Sequence, residues 1–323
     1  MITSKTPLRI SFFGGGTDME EYFKSYGGAV ISTTIDKYTY ASISTQSYEH
    51  TKMGLSDSAI DDIFPPITNE LPLIRNALKM LKLEKAYVRL NSDLPTRSGL
   101  GASSSLAVGI LNSIHAIKQE RISKTELANE AIYLERNLCG EVGGWQDQIA
   151  VAFGGFNKII FDENGYEVIP LNVSKWKIDA LNQHLLLFFT GITRSSSLIL
   201  ESTNYYTNST IRTLHEMHQL VYEAEKTLLS SNEKFEDFGA LLNETWMMKK
   251  KTGTKVTNNA LDDIYALGIS AGALGGKLLG AGGGGFILFL ARPECHMMIR
   301  NALKDLLYVP FKFETEGAIR IIS

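Results

Sequence analysis

The chain has 323 residues, enough for two domains of ordinary size rather than one core. Hydrophobic residues at 44% and charged residues at 21% are the proportions of a compact globular protein and exclude a disordered or fibrous chain. Lys and Arg number 32 against 35 Asp and Glu, and the net charge of -3 leaves no cationic surplus for a nucleic-acid backbone, so an anionic ligand must be met locally by loops and single side chains. Cys139 and Cys295 are too few for a disulfide framework and are not spaced as a metal site, which fits a reducing cytoplasm. The start, MITSKTPLRISFF, reads as no signal peptide, and no apolar stretch reaches the roughly 18 residues of a membrane span.

From the N terminus come PLRISFF, GGGTD, a polar and aromatic stretch, then GGAVISTTI and YTYASIS, a pattern that predicts strand, loop, short helix, strand and strand. ELPLIRNALKMLKL over 70–83 has helical apolar spacing, and AYVRLNSDL after it reads as a strand. PTRSGLGASSS then opens a helix over LAVGILNSIHAIKQ. In ISKTELANEAIYLERNL, Ser123 followed by Glu126 is a capping box that starts a further helix, and the glycine-broken CGEVGGWQDQIAVAFGGFNKIIF comes next. HLLLFFTGITRSSS reads as buried strand and polar loop, with a domain boundary near 180 that gives domains over 1–180 and 181–323. Helices are expected from about 195 to 272. Among them, IRTLHEMHQLVYEAEKTLL and KFEDFGALLNETWMMKKK have apolar faces that read as core, and Lys249 to Lys251 suit a helix C-terminal dipole. LDDIYALGISAGALGGKLLGAGGGGFILFL reads as helix, glycine loop and strand, and FKFETEGAIRII as an edge strand.

The stretch from Pro95 to Ser105 lies between a predicted strand and a predicted helix. Its small residues let backbone N–H groups close on an anion while the helix points its positive end there; a serine-rich capping turn is the plainer alternative. It is not a Walker A loop, and the nearest match, Gly276-Lys277, has Ala271 and Leu278 at the two required positions. Gly280 to Gly285 satisfies G-x-G-x-x-G, but after a helical segment and before a strand, the reverse of a dinucleotide fingerprint. A nicotinamide oxidoreductase is therefore disfavoured, and this run reads as a loop packed on a backbone or a ligand. Arg9 falls in a strand and Asp18 just past a glycine turn, where its carboxylate can accept bonds from sugar hydroxyls or cap an Asx turn. Glu135 and Asp147 offer one carboxylate for Mg²⁺ and one for a proton, or two surface acids. His215 and His218 lack a third ligand and read as a solvated face.

In order and spacing these stretches resemble the GHMP kinases across nearly the whole chain. The family's central Pro-x-Gly-x-Gly-Leu-Gly/Ser-Ser-Ser motif lines up with Pro95 to Ser103, with Arg97 where glycine is usual and Ala102 where serine is frequent. Pro7, Arg9 and Asp18 line up with the galactokinase-like start, and Gly15 and Gly16 replace its sugar-gripping Glu-His pair. Glu135 and Asp147 line up with the magnesium glutamate and the base aspartate, and Lys277 to Gly285 with the C-terminal glycine motif, Leu279 replacing Ser or Thr. As a set, RISFFGGGTD, GGAVISTTIDKY, PTRSGLGASSS, TGITRSSS, GGWQDQ and KLLGAGGGGF resemble the heptose 7-phosphate kinase branch, which serves bacterial surface-sugar synthesis.

The resemblance implies an α+β fold, with an N-terminal ribosomal-S5-like domain, a C-terminal ferredoxin-like domain and the site between them. It implies ATP, Mg²⁺ and a sugar or sugar phosphate as ligands, with neither nucleic acid nor membrane as partner. ATP phosphates are expected along Pro95, Arg97, Ser98, Gly99, Leu100, Gly101, Ala102, Ser103 and Ser104, and Mg²⁺ on Ser103 and Glu135. Asp147 is expected to take the proton of the anomeric hydroxyl with Arg9 beside it, and Ser11, Gly15, Gly16, Thr17, Asp18, Gly144, Gly282 and Gly283 to surround the sugar. Arg97 and Lys37 are candidates for a distal phosphate. The alternatives are a fucose- or mannose-type sugar 1-kinase and a catalytically silent sugar sensor; joint presence of Ser103, Glu135 and Asp147 speaks against the second.

Overall fold

The computed structural model of the chain describes residues 1–45, 71–83, 86–192, 199, 207–231 and 235–322. Within them lie two antiparallel sheets. The first is organised by β1 (Ile2–Phe13) and β2 (Gly28–Ser44), joined by a glycine turn and the short helix α1 (Glu20–Tyr26). Two strands are expected over 28–44 and one is found, because the β-branched run continues through a bulge at Asp36 and Lys37, where the register slips between Pro7 and Leu8. On its other edge β2 pairs in turn with β4 (Phe156–Asp162), β10 (Phe313–Glu314) and β3 (Tyr87–Ser92), while β5 (Gly165–Pro170) and β11 (Ile319–Ile322) form the outer strands. The second sheet runs β7 (Ala273–Leu278), β8 (Phe286–Ala291), β6 (Leu185–Phe189) and β9 (Leu307–Tyr308).

Helices α2 (Pro72–Met80), α3 (Ala102–Ile117), α4 (Lys124–Tyr133) and α5 (Gln146–Phe153) share one apolar core with the first sheet. The predicted capping box closes at Ser123 and Glu126, and α4 widens into a π-helical turn over Leu134–Leu138. Helices α6 (Lys175–His184), α7 (Asn208–Leu229), α8 (Glu236–Lys249), α9 (Asn259–Ser270) and α10 (His296–Ala302) complete the chain. The helical expectation at 195–206 and the serines of TGITRSSS lie outside the described residues, apart from Ile199.

Two expectations about the second half are corrected. ALGGKL, read as part of the passage from helix to glycine loop, is strand β7: its glycines let the neighbouring helix press directly on the strand, and a Cβ on Gly275 would stand 1.9 Å from the Gly239 carbonyl oxygen of α8. The boundary near 180 falls inside α6, and the expected edge strand FKFETEGAIRII forms as two pieces, β10 and β11, that return to the first sheet. No single cut therefore separates the two sheets. Leu8, Phe12 and Phe13 of β1 share one core with Leu279, Phe286 and Leu288 of the second sheet and with Val221 and Phe238 of α7 and α8, which fixes the walls of the cleft between them. No helix among the described residues is long and apolar enough to cross a membrane.

Far along α3 from the cleft, His115 is clamped between Glu120 (2.8 Å) and Glu130 (2.7 Å). The hydrogen bond to Glu130 is the main cause that holds His115 above the usual 6.5, and hydrogen bonds from Lys118 and His115 hold Glu120 below 4.5. The histidine's contribution is complete below pH 6.5 and lost as pH rises through its raised value; that of Glu120 is complete above 4.5 and lost as pH falls. Thermal melting of wild type and His115→Gln should therefore show the largest gap between those limits and a shrinking gap at alkaline pH. A gap that stays constant from roughly pH 6 to pH 9 would contradict this account.

Candidate active site

The phosphate loop is fixed by backbone-to-backbone contact between the two halves. Gly99 and Gly101 take φ +87° and +73°, and a Cβ on Gly99 would stand 2.3 Å from the Leu279 carbonyl oxygen. From the opposite loop, Gly280 presses on Gly99 and Gly285 on Ser98, whose carbonyl accepts a bond from the Phe286 N–H at 2.9 Å. Gly101 then caps α3, and the first intrahelical bond runs from Ser105 N–H to the Gly101 carbonyl, which leaves the N–H groups of the first turn for an anion. Pro95 and Arg97 are exposed, and the Ser98 hydroxyl turns inward to the Pro95 carbonyl rather than to a ligand. Arg97, standing where glycine is usual in the motif, holds φ +56°, a left-handed conformation that costs a side chain roughly 1–2 kcal/mol.

The carboxylates meet beside this loop. Arg9, 3% exposed, grips Asp147 with two bonds, Nε to Oδ1 at 2.8 Å and Nη2 to Oδ2 at 2.7 Å, and donates a third to the Gly99 carbonyl at 2.6 Å. Its own N–H donates to the Leu100 carbonyl, so strand, loop and carboxylate are tied at one residue. Asp147, at the start of α5, remains 25% exposed. Asp18 is buried across from it: Oδ1 accepts the Gly16 N–H at 2.8 Å and Oδ2 the Gln146 N–H at 3.4 Å. Burial foremost, with Asp147 nearby, raises the Asp18 carboxyl above its ordinary range against the pull of those N–H groups and of Lys249. Gly144 is glycine because a Cβ there would stand 1.8 Å from Asp18 Oδ2.

Glu135 faces the start of α3 from the π-helical turn. It is 2% exposed, and its carboxylate accepts bonds from Ser103 (2.9 Å), Ser104 (2.6 Å) and the Gln148 amide. Burial raises its carboxyl above the usual range, opposed first by Arg136 and then by these donors. A carboxylate and a hydroxyl at a helix N-terminus form a hard-oxygen donor set that suits Mg²⁺ shared with phosphate and water rather than held in a protein cage. No cluster of three His, Cys, Asp or Glu suited to a metal occurs among the described residues.

Some expected residues stand elsewhere. Thr17 is spent on the fold, its hydroxyl bonded to the carbonyls of Gly14 and Ala29. Lys37 sits on the β2 bulge, 3.3 Å from Asp36. Gly282 and Gly283 face the backbones of Val256 and Lys255 and the side chain of Ile199, so their lack of a Cβ is required by loop packing. His215 bonds the Tyr22 hydroxyl at 2.7 Å. Two cations that the sequence reading leaves out do enter the cleft. Lys249, 9% exposed, reaches the Gly15 carbonyl at 3.4 Å instead of ending a helix in solvent, and Lys277, 7% exposed, donates to the carbonyls of Ser11 and Phe12 at 3.0 and 2.8 Å. For Lys249 a signal was present: it continues the buried stripe of Phe238, Leu242 and Trp246 along α8.

Comparison with known proteins identifies the family. The GHMP kinases N terminal domain model matches residues 72–155, and the GHMP kinases C terminal model matches residues 224–295. A D-glycero-alpha-D-manno-heptose 7-phosphate kinase of Campylobacter jejuni is 33% identical over 98% of this chain and 97% of its own length. Among solved structures, a D-glycero-D-manno-heptose 1-phosphate kinase of Bacteroides thetaiotaomicron superposes with a TM-score of 0.77 at 27% identity, covering 100% of this chain and 99% of that one. A Lactococcus lactis galactokinase solved with galactose shares the fold at a TM-score of 0.71 and 18% identity, covering 99% of this chain and 95% of that one. With both family halves in order and this similarity running end to end, the chain belongs to the GHMP kinases and is an ATP-dependent sugar kinase.

Proposed function

We propose that the chain transfers the γ-phosphoryl group of ATP to the anomeric hydroxyl of D-glycero-D-manno-heptose 7-phosphate, giving the 1,7-bisphosphate. The observation that carries the reaction type is the Arg9-held carboxylate of Asp147 at the mouth of the phosphate loop, with Asp18 across from it. The acceptor is taken from the name of the Campylobacter jejuni relative.

In this reading Asp147 accepts or orients the proton of the attacking hydroxyl, and Arg9 positions it. The two bonds from Arg9 leave Asp147 fixed in the cleft, so that hydroxyl, carboxylate and phosphoryl group need little reorganisation on meeting. Asp18 holds ring hydroxyls, and the N–H groups around Gly101 to Ser104 take the ATP phosphates. Ser103 and Glu135 would hold Mg²⁺, which offsets phosphate charge when bound.

A coupled ATPase assay over hexoses, heptoses and their phosphates tests the acceptor, with the product identified by phosphorus NMR. Heptose 7-phosphate should give the highest kcat/KM, with the new signal at the anomeric position; a higher value for any unphosphorylated sugar would overturn the assignment. Arg97→Ala in the same assay separates the roles open to that exposed residue. Contact with ATP would lower kcat/KM for every acceptor alike.

A further inference from the structure

Two cations of the cleft form no ion pair at contact distance among the described residues. Lys249 makes one long contact, to the Gly15 carbonyl at 3.4 Å, and Lys277 donates to the carbonyls of Ser11 and Phe12. Asp18 acts on Lys249 through space without forming an ion pair with it, its oxygens each accepting one backbone N–H, from Gly16 and Gln146, and Arg9 is paired with Asp147. Buried ammonium groups without an anion are costly to the fold. Burial accordingly lowers Lys249 from its usual value and pushes Lys277 down to about 7.

Around the same dipeptide, further polar atoms are left over. Ser11 Oγ, a hydroxyl able to donate, is buried without a hydrogen-bond partner in a residue 4% exposed, and the Gln146 side chain lies next to it with its Oε1 likewise unpartnered and its NH₂ group free to turn as a donor. A Cβ on Gly15 would stand 3.8 Å from the Gln146 amide nitrogen and 3.9 Å from Ser11 Oγ, and one on Gly16 would stand 3.5 Å from Lys249 Nζ. The Gly15–Gly16 turn, with Leu214 also packed on Gly16, thus faces an ammonium, a hydroxyl and an amide nitrogen. That combination of donors suits a phosphoryl group.

We propose that Lys249, with Ser11 and Gln146 at the Gly15–Gly16 turn, is the receptor for a phosphate carried by the acceptor sugar. The inference rests on the heptose 7-phosphate reading above and moves the distal phosphate from Arg97 and Lys37 to Lys249. Arg97 is exposed on the outside of its loop, and Lys37 is committed to Asp36. The other phosphoryl group present in the reaction is the γ-phosphate of ATP, and the test separates the two sources.

Steady-state kinetics on heptose 7-phosphate and on heptose, each at varied ATP, are compared for wild type, Lys249→Met and Lys249→Arg. Wild type should prefer the phosphorylated sugar by about tenfold or more in kcat/KM. Lys249→Met should lose most of that preference through KM for the sugar phosphate, with KM for ATP little changed, and Lys249→Arg should regain part of it. A Lys249→Met enzyme that keeps the preference overturns the receptor and leaves the substrate intact, and a raised KM for ATP with the preference kept overturns it in favour of the γ-phosphate. Wild type without a preference overturns the substrate reading and the receptor together. If Lys249→Met does not fold, inhibition of wild type by inorganic phosphate decides: competition with the sugar phosphate supports the receptor, and competition with ATP alone overturns it.

Discussion

Asp147→Asn should lower turnover by about 100-fold or more while ATP still binds, the usual scale for a positioned acid–base group. Both carboxylate oxygens now accept from Arg9, at 2.8 and 2.7 Å. An amide of the same shape accepts at one position, points an NH₂ group at the guanidinium from the other, and cannot take the hydroxyl proton. Arg9 is 3% exposed and keeps its bond to the Gly99 carbonyl, so the loop should hold while the partner weakens. The variant should melt lower than wild type, because a buried guanidinium left half-paired is destabilising. Calorimetric titration with ATP and a coupled assay on heptose 7-phosphate separate binding from turnover. Near wild-type turnover would remove Asp147 from the reaction, and loss of ATP affinity in step with turnover would reduce it to a brace for the phosphate loop.

How far the sequence could be read depended on whether a residue's role lies in its neighbours along the chain or across it. Arg9, Asp147 and the loop from Pro95 to Ser104 stand in local patterns of glycine, serine and charge, and these stretches do meet at the cleft. The capping box at Ser123 and the strand-to-helix setting of the phosphate loop were likewise legible because they are short-range features. Lys249 was missed because three lysines closing a helix suit its dipole equally well, and the one signal that singles it out is that it continues the apolar stripe of Phe238, Leu242 and Trp246. Lys277 was hidden by ALGGKL, whose glycines weaken a strand pattern although β7 pairs with β8 along its length. Gly282 and Gly283 show a related ambiguity, since a glycine required by backbone contact carries the same letter as one required by a ligand. The return of β10 and β11 to the first sheet has no local signature at all; it is written only in the pairing of residues about 280 positions apart, such as Phe313 with Ile35.

Glu135→Gln should raise the Mg²⁺ concentration needed for half-maximal activity by about tenfold or more, since even partners outside a metal's own ligand set change affinity by that much. The carboxylate now accepts from Ser103, Ser104 and Gln148, three donors that would be left without their acceptor by Glu135→Ala. Alanine would then confuse metal loss with unsatisfied buried groups, each costing about 1–3 kcal/mol. Glutamine keeps the volume and one acceptor oxygen, removes the charge, and turns its NH₂ group toward one of the hydroxyls or toward Gln148, so stability should fall less than metal affinity. Ser103 is exposed and Ser104 is buried, which gives the second half of the test. Ser103→Ala should raise the magnesium requirement by a smaller factor with little change in melting temperature, whereas Ser104→Ala should lower the melting temperature and leave the requirement alone. Magnesium titrations at saturating ATP and heptose 7-phosphate read both. If Glu135→Gln and Ser103→Ala keep the wild-type magnesium curve and lose only stability, the carboxylate is a latch between α3 and the π-helical turn, and the metal is held by other groups.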